Sequence, residues 1–122
     1  MIEASCHCGN ISLKASKLLD TVTSCNCSNC YRIGALWAYY TADQVVITER
    51  VKSNIYLWGN KLRSYHNCTN CGCTTHYTQL RDDGTNRVAI NTRMENPELF
   101  KAIPIRYFDG AGSFKYITKK IT

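Results

Sequence analysis

Long apolar runs are missing from this 122-residue chain. No stretch approaches the roughly 20 residues needed to cross a bilayer, so no membrane-spanning helix is expected. The opening residues Met1–Cys6 carry neither a basic segment nor an apolar one. That predicts no secretory leader, and hence a cytoplasmic, reducing setting. Proline is scarce at 2 and glycine at 7, all dispersed, leaving no linker, repeat or low-complexity tract. The expectation is one soluble domain over residues 1–122, large enough to bury a core. Clustered charge of one sign is also lacking. The formal net charge is +6, yet Lys119-Lys120 is the only adjacent basic pair. A scattered basic surface reads as a solvated face, so nucleic acid is an unlikely partner and a weak nucleic-acid binder the last alternative.

Cysteine, by contrast, is plentiful. Eight of them fall in three tight clusters: Cys6-His7-Cys8, Cys25-x-Cys27-x-x-Cys30, and Cys68-x-x-Cys71-Gly72-Cys73. Short gaps let neighbouring sulfurs converge on one ion about 2.3 Å away. A disulfide framework fits less well, because no export signal is expected and a Cys-x-Cys pair is awkward to bridge to two partners. In an extended segment Cys6 and Cys8 point the same way, and Cys68-x-x-Cys71-Gly72 has the form of a zinc knuckle. Together they supply four thiolates, a closed structural site. Cys25, Cys27 and Cys30 supply only three, which leaves a fourth position for a thiolate or carbonyl oxygen unless Cys73, His66 or His76 closes it. Cys73 itself is expected to be a small buried hydrophobe, with a ligand role as the other reading. Two bound zinc ions would carry seven thiolates and lower the net charge to about +3.

The dominant period is two. Leu36–Tyr40, Val45–Thr48, Ile55–Trp58 and Arg87–Thr92 are aromatic or β-branched runs of strand length, with Val88, Ile90, Thr92 and Met94 on one face. Asn10–Ala15, Thr74–Gln79 and Ile105–Phe108 are further candidates. Gly59-Asn60, Asp82-Asp83-Gly84 and Asp109-Gly110 supply turns. Asn96-Pro97-Glu98 opens one short helix, expected to run to Lys101 or Ala102. Most of the aromatics belong to a core. Trp37, Tyr39 and Tyr40, which follow the three-cysteine cluster closely, are placed as walls of a substrate site. Arg32 is read either as a carboxylate partner or as a plain surface arginine.

The order Ser5-Cys6-His7-Cys8-Gly9, Cys25-x-Cys27-x-x-Cys30, Cys68-x-x-Cys71-Gly72 resembles the glutathione-dependent formaldehyde-activating enzyme family, which includes centromere protein V. The similarity runs through Asn91-Thr92-Arg93-Met94 and Tyr107-Phe108-Asp109-Gly110. Asn26 stands where members often have histidine, and Asn67 where an aromatic usually precedes the third cluster. The resemblance implies a mainly β, zinc-stabilised β-tent of stacked antiparallel sheets, as in Rab guanine-nucleotide exchange factors and methionine sulfoxide reductase B. It implies a structural zinc on Cys6, Cys8, Cys68 and Cys71, and a catalytic zinc on Cys25, Cys27 and Cys30. The implied activity is that of a carbon–sulfur lyase joining glutathione to formaldehyde as S-hydroxymethylglutathione. The alkoxide so formed needs a proton, for which His66, His76 or a tyrosine is a candidate relay, each histidine being read as structural first. The competing class is a non-catalytic module in which two zincs serve only to hold a binding surface.

Overall fold

Strand-length runs of period two pair into two sheets in the computed structural model, which describes residues 1–81 and 83–118. Asp82 of the expected tight turn and the Lys119-Lys120 pair lie outside the described residues. Strands β1 (Ile2–Ser5) and β2 (Ile11–Ala15) form a hairpin, and a later strand, Val45–Glu49, completes a three-stranded antiparallel sheet against β2. Numbered along the chain, the others are β3 (Val22–Cys25), β4 (Trp37–Thr41), then β5 as just given, β6 (Asn54–Leu57) and β7 (Arg63–Asn67). They continue with β8 (Thr74–Leu80), β9 (Asn86–Asn91), β10 (Ile105–Phe108) and β11 (Tyr116–Ile117). The long sheet has eight strands in the order β11-β10-β3-β4-β9-β8-β7-β6. The β3–β10 pair runs parallel, which lets the chain's last third return beside Cys25. No helix among the described residues is long and apolar enough to cross a membrane.

The long sheet is buried on two faces by different partners. Ala38, Tyr40, Val88 and Ile90 project toward the small sheet and pack with Ile2, Ile11 and Leu13 into one core. Their strand neighbours Trp37 and Ala89 project the other way and join Cys30, Tyr65 and Tyr77 in a second cluster. This is the period-two rule applied to a sheet with no solvent face at its centre. The stacked, mainly β architecture is the one the β-tent resemblance implied. Thr92 and Met94 leave strand geometry for a 3-10 turn, Thr92–Met94, yet still reach the first core: Thr92 is buried and Met94 packs against it.

One expectation is corrected. Among the described residues the structure has two short α-helices where the sequence predicted one. The predicted helix is α2 (Pro97–Phe100), capped by the Asn96 side chain accepting from the Glu98 amide, and it ends before Lys101. The other, α1 (Ser28–Ile33), is capped by the Cys27 sulfur accepting from the Cys30 amide and closed by Gly34 at φ 71°. A thiol is outside the usual set of N-capping residues, so the start of this helix was hidden inside the cysteine motif.

Leu13 has no exposed surface, and its side chain bridges the sheets. Leu13→Ala is expected to cost about 2–5 kcal/mol, read as a lower urea midpoint at unchanged slope.

Candidate metal centres

The first sulfur set is built by two turns far apart in sequence. The β1–β2 turn carries Cys6 and Cys8 and reverses at Gly9, φ 84°. The β7–β8 turn carries Cys68 and Cys71, with the Gly72 amide donating to the Cys68 carbonyl at 2.9 Å. The four sulfurs lie within 4.8 Å of one another. Two edges are 3.7 Å (Cys6–Cys8) and 3.6 Å (Cys8–Cys68). A tetrahedron of sulfurs around an ion at the zinc–sulfur distance has edges of about 3.8 Å, which these two edges match. Amides already point at the sulfurs: Ile11 N to Cys6 at 3.3 Å and Asn70 N to Cys68 at 3.3 Å. Backbone amides, that of Cys73 first, push the Cys71 thiol down to about 5, whereas burial pushes Cys6 up to about 11. The set therefore shares protons that a cation would displace. Cys73 is outside it; it is half-buried and packs against the first core, the small-hydrophobe role expected of it.

The second set is local. Cys25 ends β3, Cys27 caps α1 and Cys30 sits in its first turn, which brings the three sulfurs within 4.8 Å of one another. Each sulfur accepts an N–H: Cys25 from the Cys27 amide at 3.4 Å, Cys27 from the Cys30 amide at 3.3 Å, and Cys30 from the Trp37 indole at 3.4 Å. Hydrogen bonds from the Cys25 and Cys30 thiols pull Cys27 down to about 2, and hydrogen bonds with Cys25 and Cys27 raise Cys30. The three sulfurs thus share protons that a bound cation would displace.

A backbone close approach completes this set. A methyl group at Gly110 would lie 2.6 Å from the Cys25 sulfur and 3.2 Å from Cys27 Cβ. The loop is pinned there by Asn26, whose Nδ2 donates to Asp109 Oδ1 at 2.9 Å and whose Oδ1 accepts from the Ala111 amide at 3.0 Å. Asn26 thus has a structural task in this chain at the position where histidine was expected in relatives.

From the three sulfurs a cavity of about 360 Å³ opens across the second face of the long sheet. Its walls include Trp37, Tyr39, Trp58, Tyr65, Tyr77 and Phe108. Burial raises the phenols of Tyr39, Tyr65 and Tyr77 above their ordinary range, so all three keep their protons at neutral pH.

Several expected site residues lie elsewhere. Tyr40 faces the first core, where its hydroxyl donates to the Lys17 carbonyl. His66 and His76 are registered with each other across β7 and β8, on the face opposite Tyr65 and Tyr77, and their rings stack at 4.3 Å. They line no part of the cavity, so neither closes the three-sulfur set nor relays a proton there. Arg32 is exposed and donates to the Ser28 carbonyl at 2.8 Å. The arginines in the cavity are Arg63 and Arg87 instead. The sequence marked neither, because cross-strand register decides which residues meet.

Gly110→Ala is expected to lower metal occupancy at the three-sulfur set while the four-sulfur set stays loaded, as read by metal content after gel filtration. Burial, with the neighbouring His66 charge second, pushes His76 from 6.5 down to about 3. The unfolded chain therefore takes up that proton first. The stability contribution is complete above about 6.5 and is lost as pH falls toward 3. His76→Gln should flatten the pH 5–7 dependence of the urea midpoint.

Comparison with known proteins agrees with this geometry. A crystal structure of a Rhodobacter sphaeroides protein, 23% identical, superposes with a TM-score of 0.68 and covers 85% of this chain and 99% of that one, which shows the shared fold. No curated protein matches. The family model described as glutathione-dependent formaldehyde-activating enzyme matches residues 1–105, the segment that supplies all seven sulfurs of the two sets. The chain belongs to the glutathione-dependent formaldehyde-activating enzyme family.

Proposed function

We propose that residues 1–122 form a single zinc-binding domain that adds a thiol to a small aldehyde and, in reverse, acts as a carbon–sulfur lyase. Glutathione and formaldehyde, the pair in the family's description, are the first substrates to test. The observation that carries this reading is the contrast between the two sulfur sets: one is a tetrad between turns, and the other is a triad facing a cavity. Thiolate-only donor sets suit zinc, which has no redox chemistry and prefers four ligands. In this reading Cys6, Cys8, Cys68 and Cys71 hold a structural ion, and Cys25, Cys27 and Cys30 hold a catalytic one. Thiols of this kind persist in a reducing compartment such as the cytoplasm.

A zinc at the triad would supply Lewis acidity, keeping an incoming thiol deprotonated or polarising an aldehyde oxygen. The remaining work falls to the chain. The indole N–H of Trp37 fixes the Cys30 sulfur. The aromatic walls exclude water, which strengthens every charge interaction in the cavity. As the sulfur–carbon bond forms, the carbonyl π pair moves to oxygen, and that oxygen takes one proton to give the hydroxymethyl thioether. Tyr65 Oη is the donor this reading assigns. Its phenol is held protonated by burial and by the negative charge of Cys30 and Cys27 close by. The proton released by the thiol balances the one consumed.

Turnover above the spontaneous rate, measured by exchange NMR with glutathione and formaldehyde, tests this. Tyr65→Phe should lower kcat by about 10²-fold with melting unchanged. Cys27→Ser should abolish turnover in a folded protein. Collapse of the Cys27→Ser fold would favour a two-zinc binding module, and salt-sensitive retention on DNA would favour a nucleic-acid binder.

A further inference from the structure

The charge pattern of the cavity selects among thiols. Arg63 on β7 and Arg87 on β9 are both registered with Gln79 on β8, so the three side chains form one rung on the face that carries Tyr65 and Tyr77. Both arginines line the cavity, and among the described residues no aspartate or glutamate does. Among the described residues the one ion pair is Lys101–Glu98, far from this rung in sequence, so neither guanidinium has a carboxylate partner. Arg87 lies over the Tyr39 ring at 4.4 Å and interacts with the Tyr77 hydroxyl, which orients the guanidinium within the cavity. Both residues are half-buried, where an unpaired cation is costly to keep.

The rung sits at a defined distance from the sulfurs. Trp37 donates to Cys30, and Thr41, four residues along β4, is registered with Arg87. Four residues of strand rise about 13 Å. Flexible arginine side chains bring the cationic end within reach of a ligand whose sulfur sits at the triad. The cavity is therefore two-ended: thiolates at one end, guanidiniums at the other, aromatic rings between.

We infer that Arg63 and Arg87 read a carboxylate of the substrate, so that the site selects thiols bearing carboxylates several bonds from sulfur and makes no ionic contact with an ammonium. In glutathione the two carboxylates would be recognised and the amine would not. This rests on the proposed thiol chemistry for the triad but not on turnover.

The chain's 2 tryptophans, Trp37 and Trp58, both line the cavity, so intrinsic fluorescence reports its occupancy. The probes are S-methylglutathione, its diethyl ester and its N-acetyl derivative, none with a free thiol, added to the metal-loaded protein. The expected result is quenching by S-methylglutathione, matched within about 3-fold by the N-acetyl form and weakened about 10-fold or more by the diester. Arg63→Gln and Arg87→Gln should each weaken S-methylglutathione by a similar factor without further weakening the diester, and Arg63→Lys should retain part of the affinity. Added salt should act in the same direction. The inference is overturned if the diester binds as well as the diacid, if both glutamine variants bind normally, or if S-methylglutathione gives no quenching at millimolar concentration. Carboxylate-dependent quenching without turnover would sink the proposed reaction and leave this inference standing. Turnover of glutathione unaffected by Arg63→Gln and Arg87→Gln would do the reverse.

Discussion

Successive residues of a strand face opposite ways, and in the middle of the long sheet one way leads to the core shared with the small sheet and the other to the aromatic cavity. Strands β4, β8 and β9 must therefore satisfy two packed surfaces at once. On β4, Ala38 and Tyr40 meet the small sheet while Trp37 and Tyr39 meet the cavity. On β8 the same rule separates His76 from Tyr77. Slipping one of these strands by a single residue would exchange every such pair. The aromatic walls, the exclusion of histidine from the sulfur triad and the arginine rung all follow from one register.

That register is secured at its ends by turns that carry sulfur. The tetrad joins the β1–β2 turn to the β7–β8 turn, linking Cys8 to Cys68 across 60 residues of sequence at a sulfur separation of 3.6 Å. An ion shared by those turns would tie the small sheet to the long one much as a crosslink does. The triad has a different neighbourhood. Its backbone comes from one strand end and one helix start, its outer side is closed by the Gly110 loop, and its remaining side is the cavity. A tetrad completes a tetrahedral shell and a triad does not. In the proposed function this difference in sulfur count separates a structural ion from a reactive one.

What the sequence disclosed follows from the range of each signal. Cysteine spacing is local chemistry, so both sulfur sets were legible with their members. The aromatic and β-branched runs Leu36–Tyr40 and Arg87–Thr92 were legible for the same reason, and they form strands Trp37–Thr41 and Asn86–Asn91. Strand β7 was not, because Arg63-Ser64-Tyr65-His66-Asn67 is polar in four of its positions and owes its strand to pairing on both sides. Helix α1 was obscured by a sulfur cap. The site beyond the cysteines was least legible. Tyr65, Tyr77, Arg63 and Arg87 meet only through cross-strand register, whereas Tyr40 and Arg32 were nominated by closeness in sequence, which places a residue near a site without choosing its face.

Native mass spectrometry of the purified chain, before and after brief exposure to a mild chelator, tests the central claim most directly. The account predicts two zinc ions per chain, one of them, the triad's, removed without loss of the folded charge-state distribution. A single ion, or two ions that resist the chelator until the chain unfolds, would contradict it.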